Sequence, residues 1–186
     1  IWSCEKIEYM FPKAHAAAYV MMAWRIAYCK VNYPLAYYAA FFTIRAKAFD
    51  YETMCLGRAQ LDAELNRLRN LANPSPKDED SIKDMRIVQE MYARGFEFMP
   101  IDIFRAHSKN FQIIDGKIMP ALTSISGLAD AASEAIMEAC KKGPFTSRDD
   151  FRERTKVPQT VVETMNRLGL FGDIPESNQI KLFDFM

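Results

Sequence analysis

The sequence is poor in the residues that bind metals or cross-link a chain. It has four widely spaced cysteines and only two histidines. No two cysteines form a CxxC pair, so neither a disulfide framework nor a zinc site is indicated. Free thiols fit a reducing compartment, and we expect a cytoplasmic protein. The cysteines are Cys4, Cys29, Cys55 and Cys140.

Long hydrophobic runs are also lacking. The most apolar stretch is short and carries Arg25, so we expect no membrane span. The sequence shows no signal-peptide pattern and does not begin with methionine. Of the 186 residues, 49% are hydrophobic and 26% are charged. This composition is that of an ordinary soluble globular protein, large enough to bury a core in one domain or two small ones.

An excess of charge of either sign is missing, because 24 Lys and Arg balance 24 Asp and Glu. The charges are nevertheless unevenly placed. Residues 1–49 hold six basic against two acidic side chains, and residues 141–170 hold seven against four. Two such zones could each follow a nucleic-acid backbone, although on charge alone a solvated surface is the simpler explanation.

A helix almost without charge is predicted near the start of the chain. Between residues 14 and 29 alanines alternate with large apolar residues, and Arg25 is the only charge, which favours a helix buried on most sides. Lys13 and His15 lie at its first turn, where free N–H groups and the helix dipole suit a phosphate. A core helix with an exposed lysine and a hydrogen-bonded histidine fits these residues equally.

Further helices follow. Pro34 starts a second helix that runs to about residue 47, and Asp50 caps a third with Gly57 inside it. Residues 73–80 contain two prolines and a charge cluster, which predicts a linker, and a helix from about residue 81 ends at Gly95. The apolar stripe of the third helix comprises Leu61, Leu65, Leu68 and Ala72.

Only two segments indicate β-structure. Residues 96–98 alternate like a strand, and residues 111–119 fit a hairpin. Asp115 and Gly116 supply the positive φ angles that a two-residue turn requires.

Residues 125–136 have the pattern of a helix-hairpin-helix element, in which a tight glycine turn opens into a helix and offers backbone N–H groups to DNA phosphate. Ala129 stands where a second glycine is common, and Asp130 adds a negative charge. Thr146 or Ser147 caps the next helix, and the last helix runs from Pro158 to Gly169. A helical bundle whose hairpins only pack is the alternative. The candidate DNA-binding residues are Ser126, Gly127, Leu128, Ala129, Lys141, Lys142 and Arg148.

Several segments of the sequence resemble segments of one protein family. Residues 11–19 (FPKAHAAAY), 25–28 (RIAY), 33–34 (YP) and 37–46 (YYAAFFTIRA) are similar to the fingers of the bacterial PolC-type DNA polymerase III alpha subunit. The resemblance continues at 93–95, 127–128, 143–145 and 179–183, in the family's order. It implies an excised C-terminal fragment of a much larger enzyme that performs nucleotidyl transfer in DNA replication.

The resemblance implies site residues as well. Lys13 would approach a phosphate of the incoming nucleotide, His15 would lie against the nascent base pair, and Tyr19 is a further nucleotide-binding candidate. No catalytic Asp-x-Asp pair between apolar strand residues occurs here, and residues 78–80 lie in the expected linker. The catalytic carboxylates and their Mg²⁺ would belong to a palm upstream of this chain, which we therefore expect to be inactive alone and to bind no cofactor.

The end of the chain resembles the short peptide by which bacterial polymerases bind the sliding clamp. Gln179 would make the orienting hydrogen bonds, while Leu182 and Phe183 would fill an apolar pocket. Alternatively, these apolar residues fold back onto the preceding domain.

We therefore predict a mainly α chain, with a helical fingers segment and a helix-hairpin-helix domain that has one small β-hairpin. The predicted parts are a distal fingers segment (1–75), a connector with a helix and the hairpin (76–120), a duplex-binding region (121–172) and a flexible clamp-binding tail (173–186). The expected partners are primer–template duplex, a deoxynucleoside triphosphate and the clamp, with no membrane. A stand-alone helix-hairpin-helix repair module and a protein-interaction scaffold remain alternatives.

Overall fold

The computed structural model describes residues 12–177, and this part of the chain is mainly helical with one two-stranded antiparallel hairpin. The predicted fold class is confirmed. The helices are α1 (Lys13–Asn32), α2 (Pro34–Ile44), α3 (Tyr51–Met54), α4 (Arg58–Arg69), α5 (Pro76–Ala93), α6 (Asp130–Lys141), α7 (Arg148–Thr155) and α8 (Gln159–Arg167). The strands are β1 (Gln112–Ile114) and β2 (Lys117–Met119), and a 3-10 helix covers Leu122–Ser124.

Helix α1 forms where the sequence predicts it, but the prediction that it is buried is wrong. None of its residues is buried, and Trp24 is 74% exposed. A helix that is apolar on all sides needs partners on all sides. Within the described part of the chain, its C-terminal turn contacts α2 and α5 through the Lys30 and Arg94 side chains.

Helix α2 starts at Pro34, because proline needs no N–H partner in a first turn and its φ angle suits a helix. It ends at Ile44, about three residues before the predicted end. Its buried face consists of Tyr38, Ala39 and Phe42.

The predicted third helix is two helices. Asp50 caps the first of them, α3, since its Oδ2 accepts a hydrogen bond from Thr53 N at 3.0 Å. Gly57 then adopts φ +122°, which a helix cannot contain, and α4 begins at the next residue. Leu61, Leu65 and Leu68 are buried as predicted, whereas Ala72 lies beyond the helix and is exposed.

The predicted linker at residues 73–80 is wrong over its second half. Pro76 is the first residue of α5, and Ser75 and Asp78 form a capping box. Asp78 Oδ2 accepts from Ser75 N at 2.8 Å, and Ser75 Oγ accepts from Asp78 N at 3.2 Å. The acidic cluster thus stabilises a helix start rather than preventing a helix. The predicted end is confirmed, with Gly95 at φ +81°.

The predicted hairpin is confirmed, with Asp115 at φ 51° and Gly116 at φ 76° in a two-residue turn between Ile114 and Lys117. The strand predicted at residues 96–98 is reduced to a parallel bridge between Phe98 and Ile118. Met99 N donates to Ile118 O at 2.9 Å, which completes this contact.

Two hydrophobic clusters fill the interior. One combines α2, α4 and α5 with Phe98 and Ile118, and the other combines residues 101–128 with α6, α7 and α8. Cys55 packs against both. The predicted division of the chain stays a prediction, but the two sides of its 75/76 boundary share the first cluster.

Candidate nucleic-acid interface

The turn at Gly127 has the geometry that a helix-hairpin-helix element requires. Its φ of +80° is one that side-chain-bearing residues rarely adopt. Leu128 N donates to Ile125 O at 3.1 Å, which closes the turn, and the Leu128 side chain is buried. Ile136 on α6 is fully buried, as the pattern predicts. The turn therefore fixes how α6 leaves the hairpin.

The start of α6 has free backbone donors. No side chain caps it, and Ser133 N donates to Ala129 O at 2.9 Å as the helical ladder begins. The N–H groups of residues 130–132 consequently have no helical carbonyl to donate to. Ala129 has φ −71° and ψ 158°, an extended conformation open to any residue, so alanine in place of glycine causes no backbone strain here.

The negative charge of Asp130 is compensated by a lysine that sequence reasoning missed. Lys109 Nζ lies 3.1 Å from Asp130 Oδ2 and 2.9 Å from Glu134 Oε1. Hydrogen bonds to Glu134 and then Asp130 raise the pKa of Lys109 above its ordinary value. His107 shapes the loop, because its Nδ1 accepts from Lys109 N at 3.0 Å. No local signal links Lys109 to a helix that begins 21 residues later.

A second helix start lies beside the first. The α7–α8 connection turns at Lys156, which has φ 57°, and Pro158 precedes α8 without a side-chain cap. Val161 N donates to Pro158 O at 3.0 Å, whereas the N–H groups of residues 159 and 160 come before any helical carbonyl. A Cβ placed on Gly127 would lie 3.5 Å from Val161 Cγ2. The Gly127 turn, which leads into α6, therefore lies against the first turn of α8.

Basic side chains accompany the second start. Lys156 is exposed in the turn itself, and Arg152 Nη1 donates to Gln159 Oε1 at 3.0 Å. The sequence placed Pro158 correctly at a helix start but gave no reason to pair it with Gly127. We call Gly127, Ala129, Lys156, Gln159 and Thr160 the hairpin surface.

The predicted basic residues Lys141 and Lys142 are not at the hairpin surface. They lie at the C-terminal end of α6, about 17 Å along the helix axis from its start. Lys141 Nζ forms an ion pair with Glu138 Oε1 at 2.5 Å. Arg148 begins α7, and its guanidinium lies 4.0 Å from Glu176. The structure thus places Gly127 against α8, whereas Lys141 and Lys142 lie at the far end of α6.

The nucleotide-binding candidates share one end of α1. The His15 and Tyr19 rings are one turn apart, with their centroids at 4.5 Å in an edge-to-face arrangement. Lys13, His15 and Tyr19 are exposed, and no side chain caps this helix start.

Comparison with known proteins identifies the family. A family model described as "Helix-hairpin-helix motif" matches residues 95–180. The "DNA polymerase III PolC-type" of Bacillus cereus is 43% identical over 183 residues, which is 97% of this chain. The proteins of the same name from Streptococcus agalactiae serotype III and Clostridium perfringens are 42% and 43% identical over 99% and 98% of the chain. This chain belongs to the PolC-type DNA polymerase III family.

The chain spans only 13% of the length of these PolC-type relatives. Their similarity covers the α1–α5 half as well as the hairpin half, which a resemblance confined to a helix-hairpin-helix module would not do. The family predicted from the resemblance of segments between residues 11 and 183 is therefore confirmed.

A PolC-type enzyme is expected to bind Mg²⁺ through a cluster of carboxylates. Residues 12–177 contain no group of three or more His, Cys, Asp or Glu side chains that could hold a metal ion. The metal site stays an expectation for other parts of the protein. Over the same residues, no helix has the length and apolar character needed to cross a membrane.

The clamp-binding candidates Gln179, Leu182 and Phe183 lie outside the described residues. The first residues of the predicted flexible tail, however, are attached to the fold. Ile174 packs against the second hydrophobic cluster, Arg148 N donates to Pro175 O at 2.8 Å, and Asp149 N donates to Glu176 O at 3.2 Å. The boundary at residue 173 stays a prediction, but residues 174–176 dock against the first turn of α7.

Proposed function

We propose that this chain is part of a bacterial replicative DNA-directed DNA polymerase. In that enzyme it would contribute nucleotide contacts, bind primer–template duplex without reading sequence, and hold the sliding clamp. The support is its similarity, over nearly its whole length, to proteins named PolC-type DNA polymerase III. A role in bacterial replication is compatible with a cytoplasmic location.

The observation that carries the duplex-binding role is that the Gly127 turn, which leads into α6, lies against the first turn of α8. Helix starts attract phosphate because their N–H groups are unsatisfied and their dipole is positive. Two adjacent starts, both without a side-chain cap, can bind neighbouring phosphates of one strand. Phosphate contacts carry no sequence information directly, so binding should be non-specific.

The charge balance favours this role. Asp130, the one acidic residue in the first turn of α6, already has Lys109 as a partner. Lys156, in the connection between α7 and α8, and Arg152, on α7, add positive charge. The carboxylate that argues against phosphate binding thus has a cationic partner, which it shares with Glu134.

Lys141 and Lys142 would serve a different part of the duplex, one helix length away from the hairpin surface. If both contact phosphate, changing both to glutamine should reduce the slope of log K against log salt by about two. Duplex-binding titrations at several salt concentrations measure this.

The matched control is Lys77→Gln with Lys83→Gln, since both lysines are exposed on α5, in the other half of the chain. This control should leave the slope unchanged. Equal slopes for the two double variants would show that Lys141 and Lys142 are merely solvated.

The nucleotide role rests on the resemblance of α1 and on the exposure of its first turns. Lys13 would meet a phosphate and His15 the nascent base pair, with Tyr19 packed against the imidazole. In the full-length protein, His15→Ala should raise the nucleotide KM or lower kcat while the melting temperature stays constant, because His15 is exposed. Steady-state kinetics with varied nucleotide test this, and unaltered kcat and KM would remove His15 from the pocket.

A further inference from the structure

Helix α1 is attached to the rest of the fold by a polar cluster at its C-terminal end. Lys30 Nζ, on its last turn, forms an ion pair with Glu90 Oε2 at 2.7 Å. Arg94, one turn after Glu90, donates from Nη2 to the Lys30 carbonyl at 3.0 Å. Tyr38 joins them, because its hydroxyl donates to Glu90 Oε1 at 3.0 Å and accepts from Arg94 Nη1 at 3.1 Å. We call these four residues the anchor.

The anchor is stronger than a solvated surface pair. The side chains of Lys30, Glu90 and Arg94 are only 29%, 37% and 31% exposed, and Tyr38 is fully buried. The Arg94 guanidinium also lies over the Tyr38 and Phe96 rings, 5.7 and 5.6 Å from their centroids. Although partial burial opposes it, hydrogen bonds from Lys30 and Tyr38 keep the pKa of Glu90 below its ordinary value.

The rest of α1 makes the anchor mechanically important. No residue of the helix is buried, so within the described part of the chain its direction depends on its contacts with α2 and on the anchor rather than on a buried core. Lys13 lies 17 residues before Lys30, about 25 Å along the helix axis. A tilt of about 5° at the anchor would move Lys13 by about 2 Å, and a displacement of about 1 Å at a reacting centre can lower a rate about 100-fold.

We infer that Glu90 and Arg94 are positioning residues, which set the direction of α1 and so place Lys13 and His15 against the incoming nucleotide. Neither residue contacts the nucleotide itself. The inference rests on the proposed nucleotide role of α1. Glu90 and Arg94, which are far from Lys13 and His15 in the sequence, thus affect the nucleotide contact.

The first test is kinetic and uses the full-length protein. Glu90→Gln keeps the shape of the side chain and removes its charge, and we expect it to raise the nucleotide KM about three- to tenfold with an unaltered KM for primer–template. If the effect passes through α1, it should shrink in a His15→Ala background, because both changes then weaken the same nucleotide contact and their effects do not add. The matched control is Glu97→Gln, which removes the exposed Glu97–Lys117 ion pair of 2.9 Å near the hairpin.

The second test measures the direction of α1 without relying on nucleotide binding. Spin labels attached to keto-bearing amino acids are introduced at two exposed positions, Ala18 on α1 and Ala59 on α4. Electron paramagnetic resonance then gives the distribution of distances between the two labels in the full-length protein. Glu90→Gln should shift or broaden this distribution, and Glu97→Gln should not.

The combined outcomes separate the two proposals. An unchanged distance distribution overturns the anchor, whatever the kinetics show. A changed distribution with a KM effect that adds fully to that of His15→Ala, or with no KM effect, overturns the positioning role. If His15→Ala itself has no effect, the proposed nucleotide role fails, and the distance measurement alone decides whether Glu90 directs α1.

Discussion

Replacing Arg154 with methionine is expected to lower the free energy of unfolding of the 186-residue chain by about 2–4 kcal/mol. Arg154 lies on α7 and joins it to the end of α6. Its Nη2 donates to the carbonyls of Ala139 and, at 3.1 Å, Gly143, while its Nη1 donates to Pro144 O at 3.0 Å. The guanidinium also lies 4.4 Å from the centroid of the Phe145 ring. Loss of this side chain leaves partly buried carbonyls without donors.

Chemical denaturation with urea measures the effect. Arg154→Lys should be intermediate, because an ammonium keeps the charge but cannot reach several carbonyls in one plane. Arg152→Met is the matched control, since Arg152 is two residues earlier, exposed, and donates only to Gln159 in the described structure. Equal losses for the Arg152 and Arg154 variants would show that Arg154 is not the link between α6 and α7.

Replacing Leu182 and Phe183 together with alanine is expected to abolish detectable clamp binding. Two such apolar side chains contribute about 3–6 kcal/mol when they are buried in a partner's pocket, before the cost of ordering the peptide. Because tethering to DNA raises the effective concentration, a micromolar peptide contact is sufficient for the proposed role. Lys181, where a small or acidic residue is common in such peptides, should weaken binding without preventing it.

A binding titration against the isolated clamp, combined with thermal unfolding, tests the tail. The melting temperature of the double variant should stay almost unchanged. The docking of residues 174–176 makes this measurement necessary, because it shows that the chain after α8 can pack against the fold. A large drop in melting temperature would mean that Leu182 and Phe183 belong to the core instead. Ile174→Ala is the comparison, since Ile174 packs on the core and its loss should lower the melting temperature.

Local signals in the sequence were enough for most elements. Pro34, Asp50, Gly95 and the Asp115-Gly116 turn act through their own backbone preferences, so their positions could be assigned without tertiary information. The linker at residues 73–80 failed because two prolines were given more weight than the Ser75–Asp78 capping box, which has the right spacing for a helix start.

The failures at α1 and at the interface have a different origin. The composition of α1 does favour burial, but the partners that would bury it are not among residues 12–177. Lys109 reaches Asp130, and Val161 reaches the Gly127 turn, only through tertiary packing, and a single sequence has no periodicity that joins them. Lys141 and Lys142 are close to Gly127 in the sequence, but the 12 residues of α6 place them at the opposite end of that helix.

Duplex binding by the hairpin surface through backbone N–H groups is the property on which the proposed function most depends. The most direct measurement is the duplex affinity of Gly127→Val compared with Gly116→Val. Both glycines have similar positive φ angles, +80° and +76°, so both variants should incur a similar backbone strain of about 1–3 kcal/mol. Of these two glycines only Gly127 lies against α8, so only there would the γ-methyl groups of valine, which reach beyond the Cβ position, crowd Val161 and disturb the turn.

We predict that Gly127→Val weakens duplex binding at least about tenfold and makes it less dependent on salt. The Gly116→Val chain should bind like the original, equally well to unrelated sequences. Equal duplex affinities for the two variants, with both chains folded, would show that the hairpin surface does not bind the duplex.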